Sequence, residues 1–369
     1  MTPSHSLGRR LAPVLAVDAP LALILSLLVG TGLLTLYSAA ADFPGRFEMQ
    51  LRNVAIALAI MWTAANISPQ LLMRHAVAIY SLGVGLLLAV FLFGVTKKGS
   101  TRWLYVGFDF QPSEMMKIAM PVMLAWIFHR YDTARRWQVF LAAAVLLAVP
   151  VGLIVKQPDF GTGMLVLAAG FYVIVLAGLS WKALAALAAA GIAATPLVWH
   201  LLHDFQRQRV LTFLDPGADP MGKGFQINQA MTAIGAGGVS GQGWMDGTQG
   251  HLGFVPERST DFVFSVYAEE FGLLGGVALL ILYALLVMRG LQIAGNAATL
   301  FSRLLGGAIS MIFFTYAFIN LGMVSGIVPV VGVPLPFFSY GGTALMTLGL
   351  GCGILMAIQR QSLLQMSRI

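Results

Sequence analysis

The stretch "QVFLAAAVLLAVPVGLIVKQPDFGTGMLVLAAGFYVIVLAGL", residues 138–179, holds two apolar runs, 138–155 and 161–179, joined by the short polar link "KQPDF". Neither run carries a charge, and each is long enough to cross about 30 Å of hydrocarbon as a helix. Two such runs back to back read as a membrane hairpin. Outward from this pair the pattern recurs, giving ten expected spans at 19–39, 51–66, 76–94, 112–128, 138–155, 161–179, 182–202, 262–288, 304–325 and 342–358. The fold class that follows is all-α, a polytopic membrane protein read as one membrane domain over residues 1–369, with a large external loop at 203–261 between spans seven and eight. Composition agrees: 58% of the 369 residues are hydrophobic and 10% charged, and the mean hydropathy is +0.82, outside the range of soluble domains. The first run is followed by "SAAADF", which looks like a signal-peptidase site, but about twenty apolar residues exceed a signal peptide's apolar core and read as a retained span.

An even number of spans puts both termini on one side. On that side Arg9, Arg10, Arg74, Arg130, Arg135, Arg136, Lys182, Arg289, Arg303, Arg360 and Arg368 sit in short loops and tails, where the positive-inside rule counts them. The expected orientation therefore has cytoplasmic termini, and the net charge of +7 reflects topology, with no nucleic-acid partner implied. Of the fifteen acidic residues, Asp18 and Asp132 fall on the cytoplasmic side and the other thirteen in or beside the external loops. Any chemistry faces outward.

Cys352 is the sole cysteine, which rules out an internal disulfide. Its neighbours Gly349 and Gly353 have the GxxxG spacing of a close helix crossing. The six histidines form no zinc-ligand pattern. "GAGGVSG" and "GKGF" lack the strand context and spacing of a phosphate-binding loop and read as turns. Within the long loop, "FQINQAMTAIGAGG" reads as a helix ended by glycines, and Phe213, Phe225, Ile227, Val239, Trp244 and Phe254 argue for packed structure.

Polar residues gather at the outer ends of four spans. "QPSEMMK" opens span four with Pro112 and Glu114 in ordinary helix-start positions. Lys117, three residues deeper on the same face, needs a partner in lipid, and Glu114 is the natural one. Asp159 before span six and Asp261 before span eight each sit where an N-cap belongs. Capping does not explain their company, because Arg102, Lys156, Arg207, Arg209 and Arg258 share that external face. Carboxylates among cations beneath a structured loop look like a site. "SGIVPVVGVPLPFFSYGG", with Pro329, Pro334 and Pro336, reads as a re-entrant loop buried against protein or as an oily connector.

Five ordered motifs, "GSTRWLYVGFDFQPSEMMKIA", "KQPDFGTGMLV", "GKGFQINQAMTAIGAGGVSGQGW", "PERSTDFVFSVYAEEFG" and "PLPFFSYGGTALM", resemble those of the SEDS family (shape, elongation, division and sporulation) over nearly the whole chain. "GTQ" before the aspartate motif and the short N terminus are more similar to the elongation branch than to the division branch. The resemblance implies a peptidoglycan glycosyltransferase that polymerises lipid II at the outer face of the bacterial cytoplasmic (inner) membrane. It also implies a class B penicillin-binding protein as transpeptidase partner. Carried over motif by motif, the essential aspartate falls on Asp261, with supporting positions at Arg102, Glu114, Lys117 and Asp159. Relatives commonly have histidine before "TDF"; here Ser259 stands in its place.

Extending a glycan needs a base for the attacking hydroxyl and positive charge for a departing pyrophosphate. Asp261 is the expected base, and Arg102, Lys117, Lys156, Arg207, Arg209 and Arg258 are the candidate phosphate-binding cations. No recognisable motif holds a cofactor. Mg²⁺ or Mn²⁺ on the substrate pyrophosphate, with one carboxylate, is compatible. Two other functions fit ten spans and internal charge: a flippase for the same lipid, and a non-catalytic scaffold in which Asp261 merely caps a helix.

Overall fold

The structure is a computed structural model, describing residues 17–97, 100–105, 107, 109–131, 137–201, 207, 211–212, 223–251 and 255–366. Among them are thirteen helices: α1 (Ala19–Ala39), α2 (Arg46–Ala65), α3 (Pro69–Arg74), α4 (Ala76–Phe93), α5 (Pro112–Tyr131), α6 (Trp137–Lys156), α7 (Phe160–Leu176), α8 (Trp181–Leu201), α9 (Lys223–Ala236), α10 (Thr248–His251), α11 (Val263–Gly295), α12 (Leu300–Val324) and α13 (Gly342–Met366). Every expected span coincides with a helix, but length and apolarity qualify six of them as membrane spans: α1, α4, α6, α11, α12 and α13. The count of ten is therefore not established by length and composition. The reason is plain in α2 and α5, which carry Arg46, Glu48 and Arg52, and Glu114, Lys117 and Arg130.

The protein is a multi-pass membrane bundle with α5 at its centre. From Pro112 to Ala125 every residue of α5 except Met115 is buried, and α4, α6, α7 and α12 pack around it. Leu23, Leu92, Trp181 and Ile192 on outer helices are exposed instead, as lipid-facing side chains should be. Helices α2 and α13 cross closely, because a Cβ on Gly349 would lie 2.8 Å from the Ala57 carbonyl oxygen and one on Gly353 2.3 Å from that of Met61. On the cytoplasmic side of the expected topology, Asp18 caps α1 through the Leu21 amide (2.9 Å) and pairs with Arg289 of α11 (2.6 Å).

One feature departs from the all-helical expectation. Val95–Lys97 (β1), Ser100–Tyr105 (β2) and Asp109–Phe110 (β3) form a small antiparallel sheet in strand order β1-β2-β3. Thr101, Trp103 and Tyr105 alternate along β2, a β-branched and aromatic period of two. The sheet carries Arg102 to the mouth of α5.

The long loop docks into a break in α11. At Gly272 the backbone adopts φ 63° and ψ −161°, so the Leu273 and Leu274 amides cannot reach Glu269 and Glu270 one turn back. They donate instead to the Gly238 (2.9 Å) and Val239 (3.1 Å) carbonyls, while the Glu269 and Glu270 carbonyls accept from the Gln242 (3.0 Å) and Gly243 (3.1 Å) amides. Four loop bonds thus serve the two amides and two carbonyls that the break separates, as the apolar surroundings require. Both glutamate side chains join the clasp. Glu269, fully buried, accepts from the Gln249 (2.7 Å) and Gly250 (3.0 Å) amides, and Glu270 accepts from Ser38 of α1 and the Met245 amide.

Gly272 cannot be replaced here: its dihedrals lie in a region open essentially to glycine, and a Cβ would stand 2.3 Å from the Gly241 nitrogen. Gly272→Ala is expected to destabilise the protein by more than about 2 kcal/mol, read as a lowered Tm in detergent. Gly235→Ala on α9, where a Cβ meets open space, should leave Tm within a degree or two of wild type.

Candidate active site

Two neighbouring helices, α5 and α12, carry the polar machinery between them. Gln111, Glu114 and Lys117 recur every three residues at the start of α5, and all three are buried. Gln111 Nε2 donates to Asp159 Oδ2 at 2.6 Å. Asp159 also accepts from the Thr162 amide at 3.3 Å, so it does cap α7, and it pairs with Arg102 Nη1 at 3.4 Å. Capping and charge pairing coexist in one carboxylate.

One turn deeper, Lys117 is 2% exposed. Its ammonium donates to Glu114 Oε1 at 2.6 Å and to the Tyr316 hydroxyl of α12, and lies 4.9 Å from the Tyr316 ring centre. Among the described residues, Glu114 Oε2 is buried without a hydrogen-bond partner. A buried ammonium persists only with such partners.

One turn along α12 from Tyr316, the Asn320 amide donates to the Asp261 backbone oxygen at 2.8 Å and to the Val333 oxygen at 2.7 Å. Asn320 thus staples the turn before α11 to the Pro-rich segment 325–341. That segment is irregular yet largely buried, with Val330, Val333, Leu335, Phe337 and Phe338 in the core. Its backbone is satisfied from outside, as the Pro336 oxygen accepts from Tyr283 (2.7 Å) and the Tyr340 amide donates to Ser259 O (2.9 Å). The Asp261 carboxylate is half-buried and lies against this segment, since a Cβ on Gly332 would be 3.3 Å from Asp261 Oδ2. The N-cap of α11 is Phe262, not Asp261.

The sequence-predicted cations divide. Arg102 stands beside Asp159 with 29% of its side chain exposed, and Lys117 is buried against Glu114 and Tyr316. Lys156 is exposed at the end of α6. Arg258, 5% exposed, braces the fold: it donates to the Ala39 oxygen at 3.0 Å, to the Gly250 oxygen and to Asp42. Arg207 donates to the Trp199 (3.0 Å) and His200 (2.8 Å) carbonyls at the end of α8. Arg209 lies outside the described residues, as do Phe213 and Phe254.

Sequence reasoning passed over Gln111, Tyr316, Asn320 and Arg46. Tyr316 and Asn320, four apart in an apolar helix, share a face, and a polar pair of that kind inside a span is a usable signal. Arg46 opens α2, and its guanidinium donates to Ser259 Oγ while lying 4.1 Å over the Phe43 ring and 5.3 Å from that of Tyr340. The position where relatives commonly carry histidine is therefore held here by a serine bound to an arginine from another helix. Among the described residues, no three His, Cys, Asp or Glu side chains gather as a metal site, and Asp159 is already engaged by three donors.

The family model described as "Cell cycle protein", covering FtsW, RodA and SpoVE, matches residues 19–363. The chain is 46% identical over 344 residues to the peptidoglycan glycosyltransferase MrdB of Escherichia coli K12, spanning 93% of each chain. It is 35% identical to the probable peptidoglycan glycosyltransferase FtsW of Methylococcus capsulatus, over 85% of this chain and 80% of that one. Among solved structures, it superposes with a TM-score of 0.84 on a chain from a peptidoglycan synthase complex coordinating polymerisation and crosslinking, at 32% identity and covering 94% and 99% of the two chains. For the rod shape determining protein RodA of Thermus thermophilus the TM-score is 0.72, at 30% identity with 94% and 98% covered. With nearly all of its length matched in sequence and in fold, the chain belongs to the FtsW/RodA/SpoVE (SEDS) family, on the RodA side.

Proposed function

We propose that this protein is a peptidoglycan glycosyltransferase of cell elongation that polymerises lipid II at the outer face of the cytoplasmic membrane, with Asp261 as general base. The observation that carries the reading is the placement of Asp261: Asn320 holds its backbone carbonyl, and its half-buried carboxylate lies against Gly332 of the Pro-rich segment, while the N-cap position of the helix it precedes belongs to Phe262. Its relatives' names supply the reaction class.

In this reading Asp261 takes the proton of a sugar hydroxyl as its oxygen bonds to the anomeric carbon of a lipid-linked donor. The carbon–oxygen bond to the diphosphate breaks on the opposite face, and the electron pair leaves with the diphosphate. Single displacement inverts the anomeric centre, so an α-linked donor gives a β-linked chain. The leaving charge needs cations in a water-poor site. Arg102, partly exposed at the mouth of α5, is the first choice for that role, with Lys117 behind it. Arg258 is spent on the fold. No step is routed through a protein-held metal; a divalent ion would arrive on the substrate diphosphate. The partner proposed is a class B penicillin-binding protein that crosslinks the product.

Three outcomes test the reading. Asp261→Asn keeps shape and hydrogen-bonding capacity but has no useful proton affinity. Glycan synthesis from lipid II by the purified variant with its partner should fall by at least about 100-fold, with Tm in detergent unchanged; near-normal polymer from a stable variant removes the base assignment.

Glu114→Ala and Lys117→Ala should each impair activity and cost about 3–5 kcal/mol, because each strands the other's buried charge. The double variant should lose clearly less than the sum of the two; additive losses in folded protein would show that the pair is not coupled.

With cytoplasmic termini and an outward-facing site, single cysteines placed at Met245 and Arg130 in a Cys352→Ser background should differ in intact cells. An impermeant thiol reagent should label position 245 and spare 130, and the reverse pattern overturns the orientation.

A further inference from the structure

A cavity of about 270 Å³ opens where α1 turns into α2, walled by Tyr37, Phe43, Phe47 and Glu48 and roofed by Met245 of the long loop. Its rings are available: Tyr37 is 49% and Phe43 40% exposed. Tyr37 is held edge-on by Phe47 at 5.3 Å and flanked by Trp244 at 6.0 Å, and the Trp244 indole is pinned by its bond to the Leu34 oxygen at 3.1 Å. These are rigid aromatic faces, costing little entropy when a ligand lands on them. The same hollow holds the exposed carboxylate of Glu48.

That mixture selects the ligand. A lipid chain gains nothing from a carboxylate, and the cations at the Phe43 ring, Arg46 and Arg258, are engaged by Ser259 and Asp42, so the carboxylate of Glu48 disfavours a phosphate. A pyranose ring suits both features, since its C–H face packs on an aromatic ring and its hydroxyls donate to a carboxylate. A side chain links the cavity to the turn carrying Asp261. Arg46, between the cavity residues Gly45 and Phe47, runs past the Phe43 ring to Ser259, two residues before Asp261.

We infer that this cavity is a saccharide subsite holding the growing glycan beside the sugar that reacts at Asp261. The assignment rests on the glycosyltransferase reading above. It gives the polymer a footing on the protein between additions and assigns to Tyr37 and Glu48 a role in strand retention.

The test is direct binding of a soluble β-1,4-linked N-acetylglucosamine tetramer to the full chain in detergent, by isothermal titration. Wild type and Asp261→Asn are expected to bind it alike. Tyr37→Leu, which keeps apolar bulk without the flat ring, and Glu48→Ala, at an exposed site where folding is not at risk, should each weaken it on the order of tenfold. A polyprenyl phosphate probe should bind all four proteins equally. No saturable tetramer binding, unchanged affinity in both variants, or a loss confined to the polyprenyl phosphate would overturn the inference. The two readings fail separately: an active polymerase without tetramer binding sinks the subsite alone. Tetramer binding that depends on Tyr37 and Glu48, in a protein making no glycan, sinks the polymerase reading alone.

Discussion

The buried ammonium of Lys117 sets the terms for the interior of this bundle. In hydrocarbon a cation must be paired or hydrated, and here the pairing comes from Glu114 on its own helix and Tyr316 on another. The contact therefore does more than neutralise a charge, because it fixes the rotation of α12 against α5. Once Tyr316 faces Lys117, Asn320 one turn on faces the turn carrying Asp261. Gln111, six residues before Lys117, reaches Asp159. The polar contacts thus form three groups, Arg102 with Asp159 and Gln111, Glu114 with Lys117 and Tyr316, and Asn320 with the backbone of Asp261, spaced along α5 and α12 by the helix repeat.

The second constraint is backbone satisfaction. A helix cannot be interrupted in an apolar environment unless its stranded amides and carbonyls find partners. The glycine-rich loop supplies them at Gly272, and in exchange the loop is located. Glu269 then orders the segment around Gly250, whose carbonyl receives Arg258, which also holds the end of α1 and Asp42. Arg258, which looks like a site residue in the sequence, serves here to anchor the long loop.

Separating these duties makes functional sense in a membrane enzyme. In the expected topology the cytoplasmic side is tied by contacts such as Asp18 with Arg289, while the polar contacts of α5 and α12 and the loop clasp lie toward the outer side. The half-buried Asp261 lies against Gly332 of the Pro-rich segment, the placement on which the proposed base role rests.

Much of this was legible in the sequence because hydrophobicity is a local property. Apolar runs of span length give helices wherever they occur, and all ten were found as helices, although α2 and α5 carry too many charges to qualify as spans by composition. The Glu114–Lys117 pair was legible because three residues on a helix is a fixed geometry. The GxxxG crossing of α13 on α2 was legible because the absence of two side chains is written in the chain. Ser259, Arg258 and Arg46 were not. Whether a cation meets a phosphate, a backbone carbonyl or a serine from another helix depends on which segments fold together, and no spacing along the chain encodes that. The same holds for Asp261: sequence put it at a helix start, where capping and catalysis look alike. Only the tertiary structure put Phe262 at the N-cap position and the Asp261 carboxylate against Gly332, because long-range contacts through Asn320 and the Pro-rich segment, rather than local propensity, fix that turn.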